Sequence, residues 1–173
     1  MWLKMEGIKK MRKFYCLTIL TLINCISTDY SLVLENTGDK AEIKRMQEVQ
    51  RKAHFSHDAG LLVSMFSQDF TNVSGGKIER LTQEQGYNRF QPYFDQSTFM
   101  EWDNLAEPIT RVSKDGTMAY SIVHKRVGLK AKDENGVERQ HLTTYAWIET
   151  YEKQKGKWKL TAVASTNEPP QQK

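Results

Sequence analysis

The residues whose types suit chemistry are few: four histidines, and aromatic side chains spread from Tyr93 to Trp158. His54-x-x-His57, followed by Asp58, has the i, i+3 spacing of a metal pair. It falls where a helix is expected to end, and there a packed His54 and a solvated His57 serve structure. No metal is expected. His124 lies in a β-type segment and titrates near neutral pH, so it suits general-base work with Asp103 or Glu149 as the accompanying carboxylate. The competing reading is a strand histidine that only makes a structural hydrogen bond. His141 has no evident partner. Trp102, Tyr120, His124 and Tyr145 combine bulk with a hydrogen-bonding group and are the choices for a ligand pocket.

Several catalytic schemes are missing. The sequence holds no Gly-x-Ser-x-Gly elbow, no phosphate-cradling glycine loop and no dinucleotide fingerprint. No cofactor is expected. Gly75-Gly76 stands between two short strand-like runs and reads as a turn. Asn72-Val73-Ser74 has the form of a glycosylation sequon, a tripeptide that is frequent by chance.

The elements that must position these residues follow from periodicity. Asp39 and Glu42 have capping-box spacing, and beyond them Ile43, Met46, Val49 and Ala53 recur at helical intervals, giving a helix over about 40–55. Ser56 or Asp58 caps a second helix with Leu61, Leu62, Met65 and Phe66 as its apolar stripe. A hairpin follows over 70–81. Thr82-x-x-Gln85 then opens a third helix carrying Tyr87, Phe90 and Phe94, with Pro92 weakening its last turn. After it come four long β-type segments, about 99–112, 117–129, 139–152 and 157–166. Lys114-Asp115-Gly116, Asp133-Glu134-Asn135-Gly136 and Gln154-Lys155-Gly156 separate them, and such short connections imply antiparallel neighbours. In the last segment Trp158, Leu160, Ala162 and Ala164 share a side; in the one before it Tyr145, Trp147 and Tyr151 do. Helices first and a long antiparallel sheet after predict an α+β fold, the helices on one sheet face. The other face is not plainly polar, which suggests a partner copy or a lined cavity.

The charge is unevenly placed. The chain carries net +4, but Lys4, Lys9, Lys10, Arg12 and Lys13 lie before Ile26 against Glu6 alone, leaving 20 basic and 20 acidic residues in the body. A neutral body gives no support to nucleic-acid binding. The basic cluster abuts the apolar run Phe14–Ile26, 13 residues that are too few to span a bilayer as a helix. The two together predict a signal peptide over 1–26. Both cysteines, Cys16 and Cys25, fall in this leader, so the mature domain is expected without a disulfide. Leu22-Ile23-Asn24-Cys25 resembles a bacterial lipobox, with Asn24 departing from the usual small residue. A lipid on Cys25 and soluble export both stay open. The expected organisation is a leader over 1–26, a tether over 27–38, a domain over 39–167 and a tail over 168–173, located in the periplasm or lipid-anchored to the cell envelope. Contact with membrane is expected only through a lipid on Cys25.

Asp58-x-x-Leu61-Leu62-x-x-Met65-Phe66-x-x-Asp69-Phe70, with the ending Thr144-Tyr145-Ala146-Trp147 and Gly156-Lys157-Trp158-Lys159-Leu160, resembles the nuclear transport factor 2-like superfamily. The SnoaL-like branches, which include an exported bacterial domain of unknown function, are the most similar. The resemblance covers about residues 40–167. It implies a strongly curved sheet closed into a cone with a cavity at its open end, and homodimers formed through the sheet. Ketosteroid isomerase, an enzyme of this fold, uses a carboxylate base, a tyrosine and a protonated aspartate. Ungapped counting places those roles at Ser74, Gln50 and Ile148, or Val73 and Trp147 with a one-residue slip, and none has the required chemistry. Three functions remain in view: a module binding a small apolar or amphiphilic ligand, a homodimeric structural domain of the envelope, and a small lyase, isomerase or hydrolase using His124.

Overall fold

The structure is a computed structural model and describes residues 37–133 and 135–168. The chain divides into a leading unit, Met1–Gly38, and a compact domain, Asp39–Lys173. The leader with Cys16 and Cys25, and the expected tether up to residue 36, lie outside the described residues. Thr37 and Gly38, expected in the tether, are helical.

Helix α1 is helical over residues 37–55, and Ile43, Met46 and Ala53 are buried along it, as the 3.6-residue spacing requires. Asp39 lies inside this helix and does not cap it. Its carboxylate accepts from Trp158 Nε1 at 2.8 Å and pairs with Lys153 Nζ at 2.8 Å, which ties the helix to the last two strands. His57, in the left-handed region at φ 55°, ends the turn after α1. Asp58, rather than Ser56, caps helix α2 (Ala59–Val63), accepting from Leu61 N at 2.8 Å. This helix is shorter than the apolar stripe suggests. Met65 and Phe66 lie beyond it, and Phe66 opens strand β1 (Phe66–Ser74). Gly75 and Gly76, both at positive φ, turn the chain into β2 (Lys77–Leu81). The Thr82–Gln85 capping box is present with both hydrogen bonds, and helix α3 (Gln83–Asp95) continues through Pro92.

The remaining strands are β3 (Ser97–Asn104), β4 (Ile109–Val112), β5 (Met118–Lys132), β6 (Glu138–Gln154) and β7 (Lys157–Asn167). The segment expected as one strand over 99–112 is therefore two, broken around Pro108, and both pieces pair with β5 along its length. The sheet order is β2-β1-β7-β6-β5-β3, with β4 also on β5. The sheet is mixed, not wholly antiparallel. The hairpin with β6 sets the direction of β7, and in that direction it meets β1 parallel.

Three register shifts interrupt the ladders: at Met100 in β3, at Thr161 in β7, and between Phe66 and Thr71 in β1. Each inserts residues on one strand and so bends it. The shift at Thr161 changes the facing of β7. Trp158 and Leu160 point inward as expected. Beyond the bulge Val163 and Ser165 stand opposite the inward Glu149 and Trp147, while Ala162 and Ala164 turn outward. The core gathers Ile43, Met46 and Ala53 of α1, Phe94 of α3, and Phe66, Phe70, Tyr151, Trp158 and Leu160 of the sheet. Phe66 and Phe70 stack at 3.9 Å between ring centroids.

Candidate functional site

The register of β5 against β6 decides which side chains face inward. Ala119, Ser121, Val123, Lys125 and Val127 alternate as buried residues along β5. Opposite them stand Tyr151, Glu149, Trp147, Tyr145 and Thr143 of β6. Trp102 of β3 pairs with Val127 and joins the same face, because the bulge at Met100 keeps it on the side of Phe99. Between this face, α1 and α3 lies a cavity of about 630 Å³ that opens to solvent. Phe66, Phe90, Trp102, Tyr145 and Trp147 give it aromatic walls. Asn72 and Ser74 of β1 and Ser165 and Asn167 of β7 add polar groups.

The polar floor is built from α1 and β6. Glu149 is buried, at 1% exposure, and accepts three hydrogen bonds: from Tyr151 Oη at 2.5 Å and Gln47 Nε2 at 2.9 Å on Oε2, and from Trp147 Nε1 at 3.0 Å on Oε1. A carboxylate offers about four acceptor sites, so Oε1 has one to spare. Burial, together with the adjoining Glu149 carboxylate, pushes the Tyr151 phenol well above its ordinary value, so it stays a donor. Gln50, one turn before His54 on α1, also lines the cavity. Its Nε2 is buried and makes no hydrogen bond of acceptable geometry among the described residues, although the Gln50 amide lies close enough to the Tyr151 phenol to act on it. An unpaired buried amide donor is unfavourable and uncommon in folded proteins.

His54 shows why the His54-x-x-His57 spacing is structural. Its Nδ1 lies 2.7 Å from the Gln50 carbonyl, and its ring sits 3.9 Å from that of Trp102, with Phe94 and Phe99 edge-on. Burial lowers the imidazole to about 4, against the Gln50 hydrogen bond that raises it, and the Lys125 charge adds to the lowering. A neutral ring donating through Nδ1 keeps Nε2 as an acceptor. His57 stands apart in the turn.

Of the four residues chosen from the sequence, Trp102 and Tyr145 line the cavity. Tyr120 and His124 do not. They occupy the alternate positions of β5 and are exposed on the outer face of the sheet, whereas Glu149 lies on the inner one. The pairing of His124 with Glu149 is thereby excluded by the thickness of the sheet. Two of the positions found by counting, Gln50 and Ser74, do line the cavity, while Ile148 faces outward and its neighbour Glu149 faces in. The isomerase set is still incomplete, because an amide stands where the tyrosine is needed and a hydroxyl where the base is needed. Glu149 was within reach of the sequence: it continues the alternation of Tyr145, Trp147 and Tyr151.

No family model matches the sequence, and no curated protein matches it. Solved structures do match in fold. A ketosteroid isomerase-like protein from Erwinia carotovora atroseptica superposes with a TM-score of 0.59 at 14% identity, over 75% of this chain and 96% of that one. A nuclear transport factor 2-like protein with a cystatin-like fold from Novosphingobium aromaticivorans gives 0.59 at 14% identity, over 80% and 87%. A nuclear transport factor 2-like protein of unknown function in nutrient uptake from Rhodospirillum rubrum gives 0.59 at 15% identity, over 73% and 98%. The chain has a nuclear transport factor 2-like fold.

Proposed function

We propose that the domain is a small-ligand-binding module, whose cavity takes a mainly apolar, flat molecule with one hydrogen-bonding edge. The observation that carries this reading is Gln50, whose Nε2 is unpaired, in the lining of an aromatic-walled cavity of about 630 Å³. A ligand carbonyl accepts from Gln50 Nε2, and an adjacent ligand N–H or O–H donates to the spare site on Glu149 Oε1. The walls supply most of the affinity through buried apolar area, and the floor supplies orientation. Because the base and the tyrosine of the isomerase set are absent, binding is proposed without chemistry.

Calorimetric titration with two compounds of similar shape tests this. 2-Quinolone carries an adjacent N–H and C=O; naphthalene carries neither. The expected result is that both bind and that 2-quinolone binds at least tenfold more tightly, each net hydrogen bond being worth about 1 kcal/mol. A Gln50→Leu substitution should narrow the difference, because it leaves only the hydrogen bond to Glu149. If neither compound binds up to its solubility limit, the reading fails.

A second reading, compatible with the first, concerns the opposite sheet face. Ile109, Ile122 and Ile148 stand in register across β4, β5 and β6, and Ala164 of β7 continues the row. The three isoleucines are 50%, 45% and 39% exposed, with Tyr120 and Met118 exposed beside them on β5. We read this apolar strip as the surface on which two copies pair. The export reading belongs with the same proposal: the leader delivers the domain to the periplasm or the envelope, and the mass of the mature N-terminus distinguishes a lipid on Cys25 from a soluble product.

A further inference from the structure

Trp102 has a second side. Beyond it lies another recess, of about 720 Å³, between α1 and the β3–β4 connection, separate from the aromatic cavity. Five cationic side chains line it: Lys40, Lys44, Arg51, Arg111 and Lys125. Three carboxylates oppose them: Glu48, Asp103 and Glu107. The lining is thus cationic on balance, although the body of the chain is neutral.

Lys125 makes this more than a charged patch. It lies on the buried face of β5 and is only 7% exposed. Its ammonium has no hydrogen bond and no ion pair among the described residues; its nearest favourable contact is the Trp102 ring, 5.6 Å from Nζ to the centroid. A cation withdrawn from water without a carboxylate in direct contact is costly, and folded proteins pair nearly all such groups. Burial lowers the Lys125 ammonium, against the longer-range attraction of Glu149 and Asp103, and the Arg51 charge lowers it further. Arg51 has a long ion pair, 3.9 Å to Asp103, and its guanidinium lies 4.4 Å over the Phe55 ring. A buried ammonium and a guanidinium with no close carboxylate therefore share one recess.

We propose that this recess is a binding site for a small oxyanion, a carboxylate or a phosphate group, which sits against Lys125 and is flanked by Arg51. The anion supplies the direct ion pair that Lys125 lacks, and the Arg51 fork adds directional hydrogen bonds.

The test is calorimetry on the full chain with inorganic phosphate and, separately, with acetate, each at constant ionic strength set by sodium chloride. Saturable binding of at least one is expected, and whichever binds more tightly identifies the group. Lys125→Met should weaken that binding at least tenfold while leaving the melting temperature equal or higher, since it removes a buried charge that no direct ion pair holds. Arg51→Met, at an exposed position, should weaken it about threefold and guards against a folding defect in the first variant. Absence of saturable binding by either anion would overturn the proposal, as would unchanged affinity in both variants.

Discussion

His54 carries the clearest consequence at the scale of single residues. Its folded value of about 4 lies below the ordinary 6.5, so between those values the unfolded chain binds more protons than the folded one. The stability contributed by the neutral ring is present above about 6.5 and is lost as pH falls toward 4. The loss is roughly 2 kcal/mol by pH 5 and about 3 kcal/mol in full. Urea unfolding at pH 7 and pH 5 measures it. Wild type should lose about 2 kcal/mol more between the two than a His54→Leu variant does, and equal losses would show that the imidazole is not held neutral. The floor residues also show what a sequence displays. Trp102 and Tyr145 were legible because large aromatic residues in strands tend to turn inward. Tyr120 and His124 look the same in isolation. What separates them is the cross-strand register, Val123 against Trp147 and Lys125 against Tyr145. That register makes small residues and a lysine the inward face of β5, and leaves the more apolar face outside.

Among the elements, the Thr82 cap and the glycine turns are legible in the sequence, since their chemistry is local. Thr82 with Gln85, the glycine pair after Ser74, and the glycines at 116, 136 and 156 each act within a few residues of themselves. The bulges were not legible. Thr161 differs in no obvious way from its neighbours, yet the extra residue there reverses the facing of the rest of β7 and brings Val163 and Ser165 to the cavity. Asp39 was misread for a related reason: capping-box spacing described a local role, whereas its partners are Trp158 and Lys153, over a hundred residues away. An Asp39→Ala substitution should therefore behave as a loss between elements. It leaves the buried Trp158 N–H without an acceptor and should cost about 1–3 kcal/mol in chemical denaturation. Asp39→Asn, which keeps an acceptor oxygen, should recover part of that. A cost confined to a few tenths, typical of an exposed helix terminus, would contradict the tie between α1 and β7.

For the molecule as a whole, the sheet has an inner and an outer face, and a residue on β5 belongs to one or the other by parity alone. The inner face meets α1 through Gln47 and Glu149, and the cavity lies beside that contact. The outer face presents the Ile109–Ile122–Ile148 row. Ile122→Glu puts a charge at the centre of that row without touching the cavity. Sedimentation at micromolar concentration should show wild type as a dimer and this variant as a monomer, with ligand affinity retained. A monomeric wild type would remove the pairing role from the strip. The fold class was legible because helix-period and strand-period segments are separated along the chain; the parallel closure of β7 on β1 was not, because no local signal encodes which edges meet last.

The most direct examination of the cavity reading is a crystal structure grown with 2-quinolone. The ligand should lie in the cavity against the aromatic wall that Trp102 and Trp147 form, its carbonyl within hydrogen-bond distance of Gln50 Nε2 and its N–H on Glu149 Oε1. Density for the compound only on the outer sheet face, or none in the cavity at saturating concentration, would contradict the account.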